Sequence, residues 1–299
     1  MTAPRRIILT GATGLIGYAL SKRLTTLGYE VIPFRSRHDG LGGFDHLTGH
    51  IDREALEGAH AVIHLAGESI AQRWTKAAKE RVLSSRREGT RLLSEALAGL
   101  KRKPGVFISM SGINRYGLNR TEAIDESSAV SAEGFLPAVT EAWENATRPA
   151  SEGGIRTVLL RTSLVLSAIG GGLKKMLPAF RLGLGGPIGG GRQQMSWIGL
   201  PDLVELIVWA LDNPSLHGAL NAVAPQPVTQ AEFARTLGSV LRRPSFLPMP
   251  AWALSVLFGQ MGRETILSDL SARPAVALDA GFRFAKPDLA SALRQAIGE

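Results

Sequence analysis

The sequence predicts an α/β fold, a Rossmann-type doubly wound parallel sheet with a smaller C-terminal lobe. Short apolar runs alternate with helical patterns through the first two thirds of the chain, as in β-α units around a parallel sheet. These runs are rich in Val, Ile and Leu, which is typical of strands buried on both faces. A glycine-rich turn joins the first run to the first helical pattern, as the same fold requires.

The apolar runs predict strands over residues 6–9, 30–34, 61–65, 105–110 and 156–166. Helical periodicity predicts helices over residues 15–27, 76–97 and 132–151. A further helix should begin at Pro201, because proline is tolerated at the first helical position, and end near Asp212. A short strand is expected at 221–224, and a capping box at Thr229 starts another helix.

The character of the sequence changes after residue 167, where a glycine-rich stretch begins. We therefore expect the sheet domain to take residues 1–167 and 199–225. The lobe should take residues 168–198 and 226–299. It is expected to lie over the carboxyl ends of the strands, which is where open α/β sheets bind ligands.

Composition limits the classes of protein to which the chain can belong. It has 299 residues, 44% of them hydrophobic, so it can bury a substantial core without cross-links. It has no cysteine, which excludes disulfides, thiolate nucleophiles and iron–sulfur clusters. No stretch reaches the roughly 18 apolar residues of a membrane helix, and the N-terminus has no cleavable signal pattern. We expect a cytoplasmic protein with no membrane partner.

The formal net charge of +8 raises the question of nucleic-acid binding. The basic residues are scattered, and aromatic residues make up only 6% of the chain, without the interleaving that a stacking platform needs. We therefore expect no nucleic-acid partner. A positive field suits a phosphorylated cofactor or an anionic substrate instead.

The glycine turn Thr10-Gly11-Ala12-Thr13-Gly14-Leu15-Ile16-Gly17 has the spacing and context of a dinucleotide-binding loop. Gly11 permits the tight turn, Gly14 lets the backbone approach a pyrophosphate, and Gly17 lets the helix pack close to the strand. The first N–H groups of the helix then face the phosphates. Gly11, Thr13, Gly14, Leu15 and Ile16 are the predicted cofactor contacts in this turn.

The end of the second predicted strand indicates which cofactor is selected. Proteins that select NAD place Asp or Glu there to bind the ribose 2′-hydroxyl. This chain has Arg35-Ser36-Arg37 and no carboxylate, and guanidinium groups suit a 2′-phosphate. We predict NADP as the cofactor, with Arg35 and Ser36 among its contacts; the alternative is that the arginines only solvate a loop.

The third strand ends in His64-Leu65-Ala66-Gly67, whose small residues leave room for the adenosine half of the cofactor. Leu65, Ala66 and Gly67 are therefore predicted cofactor contacts. His64 lies within an apolar strand, so we interpret it as a hydrogen-bonded core residue rather than a catalytic base.

Together, TGATGLIG, LAG and the strand end Ser109-Met110-Ser111-Gly112 resemble the extended short-chain dehydrogenase/reductase superfamily. Within it, the chain is most similar to an atypical group, the epimerase family (YfcH-like proteins). The phrases that carry this likeness are SSRREGTRLL at 84–93, LLRTSLVLS at 159–167, KMLPAFRLGLGGPIGGGRQQMSWI at 175–198 and NAVAPQPVTQAEFA at 221–234. The resemblance covers nearly the whole chain and implies a sugar-nucleotide epimerase-like or oxidoreductase activity.

The superfamily's Tyr-x-x-x-Lys motif is missing from the helix that should carry it. The resemblance places Phe135 and Val139 at those positions, and neither can move a proton. The resemblance also implies that Ser111 and Tyr116 orient a substrate as catalytic residues, and that Ser109 and Arg86 contact the cofactor. The alternatives are that the two serines cap the strand end, that Tyr116 packs a pocket wall and that Arg86 is an exposed helix residue.

Two functions remain open. One is an NADP-dependent oxidoreductase or epimerase-like enzyme that acts on a small anionic substrate, with Arg192 as a further anion contact. The other is a non-catalytic NADPH-binding sensor or scaffold, which the missing tyrosine and lysine favour. By analogy with the superfamily, the protein forms a homodimer.

Overall fold

The computed structural model describes residues 5–35 and 43–298. Its strands are β1 Arg6–Thr10, β2 Glu30–Pro33, β3 Phe44–Asp45, β4 His50–Ile51, β5 Ala61–His64, β6 Val106–Gly112, β7 Asn119–Ile124, β8 Arg156–Thr162, β9 Leu164–Leu166, β10 Gln194–Met195, β11 Trp197–Gly199, β12 Gly218–Ala222, β13 Val228–Thr229 and β14 Asp269–Ala272. Its helices are α1 Leu15–Thr26, α2 Arg53–Leu56, α3 Lys76–Ala98, α4 Phe135–Asn145, α5 Arg148–Glu152, α6 Gly171–Arg181, α7 Leu200–Asp212, α8 Gln230–Val240, α9 Ala251–Thr265, α10 Ala275–Asp279 and α11 Leu289–Ile297. None of these helices is long and apolar enough to cross a membrane.

Six strands form one parallel sheet in the order β2-β1-β5-β6-β8-β12. Each face of this sheet is covered by helices. Ile7 and Leu9 pack with residues of α1 and α7, whereas Ile8 between them packs with residues of α3. This alternation follows from the two-residue repeat of a strand. The predicted doubly wound α/β fold is therefore confirmed.

Three predicted elements differ from the structure by more than two residues at one end. The run predicted as one strand over 156–166 leaves the central sheet after Thr162, and β9 pairs instead with β11. The helix predicted over 132–151 is two helices, α4 and α5, with Pro149 in the first turn of the second. Proline has no N–H, so Pro149 cannot continue the hydrogen-bond ladder to the carbonyl of Asn145, which explains the break. The strand predicted at 221–224 lies at Gly218–Ala222.

The C-terminal lobe has its own core, formed by α6, α8 and α11 around the fully buried Trp197. Helix α8 begins as the capping box predicts, because the Thr229 hydroxyl accepts the N–H of Glu232. The tail also reaches back to the main sheet domain: Ala277 and Phe282 pack into its core. The division at residues 167, 198 and 225 stays a prediction.

Candidate functional site

The glycine turn lies at the point where the strand order reverses. Strand β1 has β2 on one side and β5 on the other, so a crevice opens at the carboxyl ends of β1 and β5. Gly11 has a φ of +68°, and a Cβ there would lie 2.8 Å from the carbonyl carbon of Leu65 and 2.9 Å from the amide nitrogen of Ala66. No other residue type fits this turn without moving the end of β5.

Helix α1 begins directly against the turn. A Cβ on Gly17 would lie 2.2 Å from the carbonyl oxygen of Gly11, so only glycine permits this approach. Gly14 occupies the N-cap position, and no side chain in the described part of the chain caps α1 there. The first-turn N–H groups and the partial positive charge of the helix are therefore left for an anion. The predicted contacts Thr13, Leu15 and Ile16 all lie at this helix start.

A buried hydrogen-bond chain holds the other wall of the crevice. The Thr10 hydroxyl accepts the N–H groups of Leu65 and Ala66 at 3.0 and 3.1 Å. Because both of its lone pairs are used, the hydroxyl donates its hydrogen to Nδ1 of His64, 2.8 Å away. Nε2 of His64 then carries the proton and donates to Thr90 over 3.0 Å. The N–H groups of Leu65 and Ala66 are directed into the protein and are not available to a ligand. A ligand would therefore contact this wall by packing against it.

These hydrogen bonds define the role of His64, whose side chain is fully buried. Burial, with a smaller contribution from the charge of Arg86, lowers its pKa from 6.5 to about 3. The imidazole is therefore neutral at physiological pH and fixed in one tautomer. The prediction that His64 is a hydrogen-bonded core residue is confirmed.

Arg86 lies behind the turn that contains Gly67. Its Nη1 donates to the carbonyl of Glu68 at 2.8 Å and to that of Val82 at 3.2 Å. A Cβ on Gly67 would lie 3.1 Å from the guanidinium carbon, and this guanidinium stands 4.8 Å from the ring centroid of Trp143. Burial lowers the pKa of Arg86 to about 10. Arg86 thus positions the Gly67 turn, and its contact with a cofactor stays a prediction.

Arg35 is exposed directly after β2, and its carbonyl accepts the N–H of Phe44 at 3.2 Å. Ser36 and Arg37 lie outside the described residues. The predicted 2′-phosphate site is therefore described only at Arg35, which is exposed at this edge of the sheet.

The side chains at the end of β6 are buried. Ser109 is fully buried, and its hydroxyl donates to the carbonyl of Met110 at 3.3 Å. The Ser111 hydroxyl donates to Oε1 of Glu144 at 2.8 Å. The hydrogen bond of the Ser109 side chain lies within the strand, and its contact with a cofactor stays a prediction. For Ser109 the strand-end alternative fits the structure.

Glu144 is the centre of a buried charge network that the sequence did not indicate. Nε and Nη2 of Arg161 donate to its two carboxylate oxygens, both at 2.8 Å, which makes a bidentate pair. Nε of Arg115 lies 3.5 Å from the same carboxylate. Burial lowers the pKa of Arg161, but the hydrogen bonds and charge of Glu144 outweigh burial and raise it. Ser111 is thus held by a fixed carboxylate.

Tyr116 is fully buried. Its hydroxyl donates to Oδ1 of Asn221 at 2.8 Å, and the Arg161 guanidinium stands 4.8 Å from its ring centroid. Burial raises the pKa of the phenol, although the charge of Arg161 opposes the rise. The Tyr116 hydroxyl is bonded to Asn221 inside the core, and its role in orienting a substrate stays a prediction. The packing alternative fits the structure.

The start of α4 carries Phe135 and Val139, the residues predicted to stand at the positions of the superfamily's tyrosine and lysine. Val139 is buried, and the ring of Phe135 packs edge-on against Trp74 with 4.8 Å between centroids. The Lys79 ammonium stands 5.2 Å from the Phe135 ring centroid and also donates to the side-chain oxygen of Gln260. A cation from α3 therefore stands beside Phe135.

Glu264, on helix α9, contacts the start of α4. Its buried carboxylate accepts the N–H groups of Phe135 and Leu136 at 3.2 and 2.8 Å, which caps α4. It also accepts a hydrogen bond of 2.6 Å from Gln260. The sequence analysis missed Lys79, Gln260 and Glu264, because Glu264 meets α4 across 128 residues and no local pattern indicates such a contact.

A cleft of about 410 Å³ lies beside this cluster. Its lining residues are Leu118, Asn119, Gln260, Arg263, Glu264 and Leu267. The amides and the exposed guanidinium of Arg263 make it suitable for a small anionic ligand. Arg192, predicted as an anion contact, is exposed and does not line this cleft, so its predicted role is not supported.

The chain matches the model of the NAD dependent epimerase/dehydratase family over residues 7–222 and a domain of unknown function, DUF1731, over residues 249–296. An epimerase family protein of Mycobacterium bovis is 37% identical over 291 residues, 96% of either chain. The human epimerase family protein SDR39U1 is 35% identical over 297 residues, which are 98% of this chain and 99% of the relative. A crystal structure of its isoform 2 with NADPH superposes with a TM-score of 0.90 at 34% identity, covering 98% of this chain and 99% of that one. The chain therefore belongs to the NAD dependent epimerase/dehydratase family, and the resemblance to atypical extended short-chain dehydrogenases/reductases is confirmed.

Proposed function

We propose that this family member binds NADPH in the glycine crevice and reduces or epimerises a small anionic compound that carries a carbonyl or hydroxyl group. When bound, the nicotinamide supplies and accepts hydride. The observation that carries the proposal is the crevice itself: Gly11 and Gly17 each stand where a Cβ would overlap backbone, and the N-terminus of α1 has no side-chain cap. This is the form of a pyrophosphate cradle. The NADPH in the crystal structure of human SDR39U1 supports the same assignment.

Selection of NADPH over NADH rests on Arg35. It stands exposed at the end of β2, which is where a dinucleotide fold contacts the ribose 2′-position. A guanidinium there pairs with a 2′-phosphate through charge-assisted hydrogen bonds. The same group gives no comparable gain with a 2′-hydroxyl.

The substrate is assigned to the cleft beside α4. Arg263 supplies a positive charge for an anionic group, and the Asn119 and Gln260 amides supply hydrogen bonds. The Lys79 ammonium, bonded to Gln260, stands 5.2 Å from the ring centroid of Phe135, the residue predicted at the position of the phenol. Ser111 remains the proposed catalytic hydroxyl of the strand end, fixed in orientation by Glu144.

A second function is favoured by one specific observation. Phe135 and Val139 stand where the superfamily has its tyrosine and lysine; one packs against Trp74 and the other is buried. A protein that senses NADPH or scaffolds a partner needs no proton-transfer group. The cleft lined by Arg263 opposes this reading, since a sensor of the cofactor needs no second polar cleft.

Calorimetric titration with NADPH and NADH tests the cofactor assignment. We expect the native protein to prefer NADPH by at least about tenfold, since a hydrogen bond to a charged group contributes about 1.5–3 kcal/mol. Arg35→Asp should narrow the preference, and the control Arg283→Asp, an exposed arginine elsewhere on the surface, should preserve it. Equal affinities for the two cofactors in the native protein would exclude this assignment.

Catalysis is tested separately, with the NADPH-loaded protein and a panel of carbonyl compounds and sugar nucleotides. Turnover of any member that falls in Ser111→Ala and in Arg263→Ala supports the enzyme. Silence across the whole panel, with NADPH binding intact, would move the assignment to the sensor.

A further inference from the structure

The C-terminal lobe exposes an unusual number of large apolar side chains. Six of them lie within residues 182–184 and 246–257 and are between 61% and 78% exposed, and we call this set the apolar face: Leu182, Leu184, Phe246, Trp252, Val256 and Leu257. Scattered apolar side chains are normal on a protein surface, but a contiguous apolar area marks an interaction site. Whether these six are contiguous therefore decides what they mean.

Backbone hydrogen bonds join the segments that carry the apolar face. The N–H of Leu247 donates to the carbonyl of Gly185 at 3.3 Å, and the N–H of Met249 donates to that of Pro187 at 2.8 Å. The chain after Leu184 thus runs alongside the chain after Phe246. Helix α9, which carries the other three residues of the face, begins two positions after Met249.

The first part of α9 is attached to the lobe through few side chains. Gly259 has φ 58° and ψ −138°, which only glycine adopts readily, and it separates residues 251–258 from the rest of the helix. Within 251–258 only Leu254 is buried, and it packs where a Cβ on Gly262 would lie 2.5 Å from it. Trp252 and Val256, one helical turn apart, therefore point away from the lobe together.

The segments that carry the apolar face, residues 182–184 and 246–257, contain no charged residue. The charged residues that precede each of them in the sequence are arginines. Arg181 directly precedes Leu182, and Arg242 and Arg243 are exposed shortly before Phe246. A second copy of the chain would bring the same positive charges against these, which opposes self-association through this face. The occupant should therefore be apolar and negatively charged.

We propose that the apolar face docks on an anionic lipid bilayer, with Trp252 and its neighbours inserted at the interface and the three arginines facing headgroup phosphates. Exposed Trp, Phe and Leu side chains flanked by Arg are the composition of elements that lie in such an interface. Trp is suited to the headgroup level, because its ring is apolar and its N–H is polar. The expectation of no membrane partner was based on the lack of a spanning segment, which peripheral docking does not require.

Flotation of the full chain, loaded with NADPH, on phosphatidylcholine vesicles with and without phosphatidylglycerol tests the proposal. We expect binding to the anionic vesicles, and weaker binding as salt is added. Trp252→Ser/Val256→Ser should weaken it by at least about tenfold, since each side chain loses its burial in the bilayer. Arg242→Ser/Arg243→Ser should weaken it by about fivefold per arginine.

Leu47→Ser is the matched control, because Leu47 is 68% exposed but lies on the β3–β4 hairpin. Leu182→Ser/Leu184→Ser repeats the test on another segment should the α9 variant fail to fold, as judged by circular dichroism. The absence of vesicle binding by the native chain, or equal binding by all variants, would refute the proposal. A dimer in sedimentation that Trp252→Ser/Val256→Ser dissociates would instead assign the face to a second copy.

Discussion

The ends of two pairs of neighbouring strands in the same sheet are built on different principles. At β1 and β5 the site is made of backbone: Gly11 and Gly17 remove side chains so that a turn, a strand end and a helix start come together. At β6 and β8 the space is filled by side chains, with Glu144 bonded to Ser111 and Arg161. The first arrangement leaves N–H groups for a ligand, whereas in the second the Ser111 and Arg161 side chains bond to Glu144 within the protein.

This difference explains why the first arrangement could be predicted from the sequence and the second could not. The glycines of the crevice lie within eight residues of one another, so their spacing alone encodes the turn. The contacts of Glu144 reach 33 residues to Ser111, and those of Glu264 reach 128 residues to Leu136. Such pairs are brought together only by the tertiary fold, and a single sequence carries no periodic trace of them.

The largest effect on stability should follow from breaking the ion pair of Glu144 and Arg161. Arg161→Met removes the bidentate partner of Glu144, whose side chain is only 10% exposed. Breaking a buried ion pair costs about 3–5 kcal/mol because one charge is left without compensation. We expect a loss of about 3 kcal/mol in the free energy of unfolding, measured by urea denaturation, since Arg115 remains 3.5 Å from Glu144.

An exposed arginine provides the control for this change. Arg91 is 60% exposed beside Glu88 and Glu95, so Arg91→Met should cost less than about 1 kcal/mol. In the double variant Arg161→Met/Glu144→Leu, much of the loss should return, because no buried charge is left unpaired. Equal losses in the free energy of unfolding for Arg161→Met and Arg91→Met would show that the Glu144 network does not stabilise the fold.

The next effect concerns the backbone-built crevice. A methyl group on Gly17 would lie 2.2 Å from the Gly11 carbonyl, so Gly17→Ala must push α1 away from the turn. We expect NADPH affinity to fall by about hundredfold, or ~2.7 kcal/mol, in a calorimetric titration. Gly28→Ala is the control: Gly28 has a φ of +83° and open space around its Cβ, so it should lose about 1 kcal/mol of stability and keep its NADPH affinity. Unchanged affinity in Gly17→Ala would contradict the cradle.

Most of the sheet could be predicted because its signals are local. The strand predicted over 6–9 spans Arg6–Thr10, and the one predicted over 61–65 spans Ala61–His64. The strand predicted over 156–166 was too long, because Leu164–Leu166 is as apolar as β8 although it pairs with a different strand. Hydropathy reports that a segment is buried and does not report its partner. For the same reason, the sequence did not indicate that Ser109 and Tyr116 are fully buried.

A pH titration distinguishes the crevice wall from the solvent-exposed surface. Folding holds the pKa of His64 near 3 against its ordinary 6.5. Between these values the unfolded chain binds a proton that the folded chain excludes, so stability is full above pH 6.5 and falls as the pH drops. The expected slope from this group is about 1.4 kcal/mol per pH unit, measured by urea denaturation at several pH values. His64→Asn should remove that slope, whereas His217→Asn, on the surface, should keep it; an unchanged slope in His64→Asn would place the titration elsewhere.

The smallest effect expected is at the start of α4, where two distant parts of the chain meet. Glu264→Gln keeps the size of the side chain but removes the negative charge that faces the N–H groups of Phe135 and Leu136. A charge at a helix N-terminus contributes about 0.3–1 kcal/mol when exposed and up to about 2 kcal/mol when partly buried. We expect a loss of about 1 kcal/mol in the free energy of unfolding.

The matched control for this change is Asp288→Asn at the start of α11. Asp288 is exposed and caps its own helix through the N–H of Ser291. Because Asn caps a helix as well as Asp does, this swap should cost only a few tenths of a kcal/mol. A larger cost for Glu264→Gln would show that its carboxylate acts through burial and through its hydrogen bond with Gln260. Gln260 in turn accepts a hydrogen bond from Lys79 and so joins α9 to α3. Equal losses in the free energy of unfolding would show that Glu264 acts only as a helix cap. Of the carboxylates of Glu144 and Glu264, that of Glu144 alone would then stabilise the fold beyond capping.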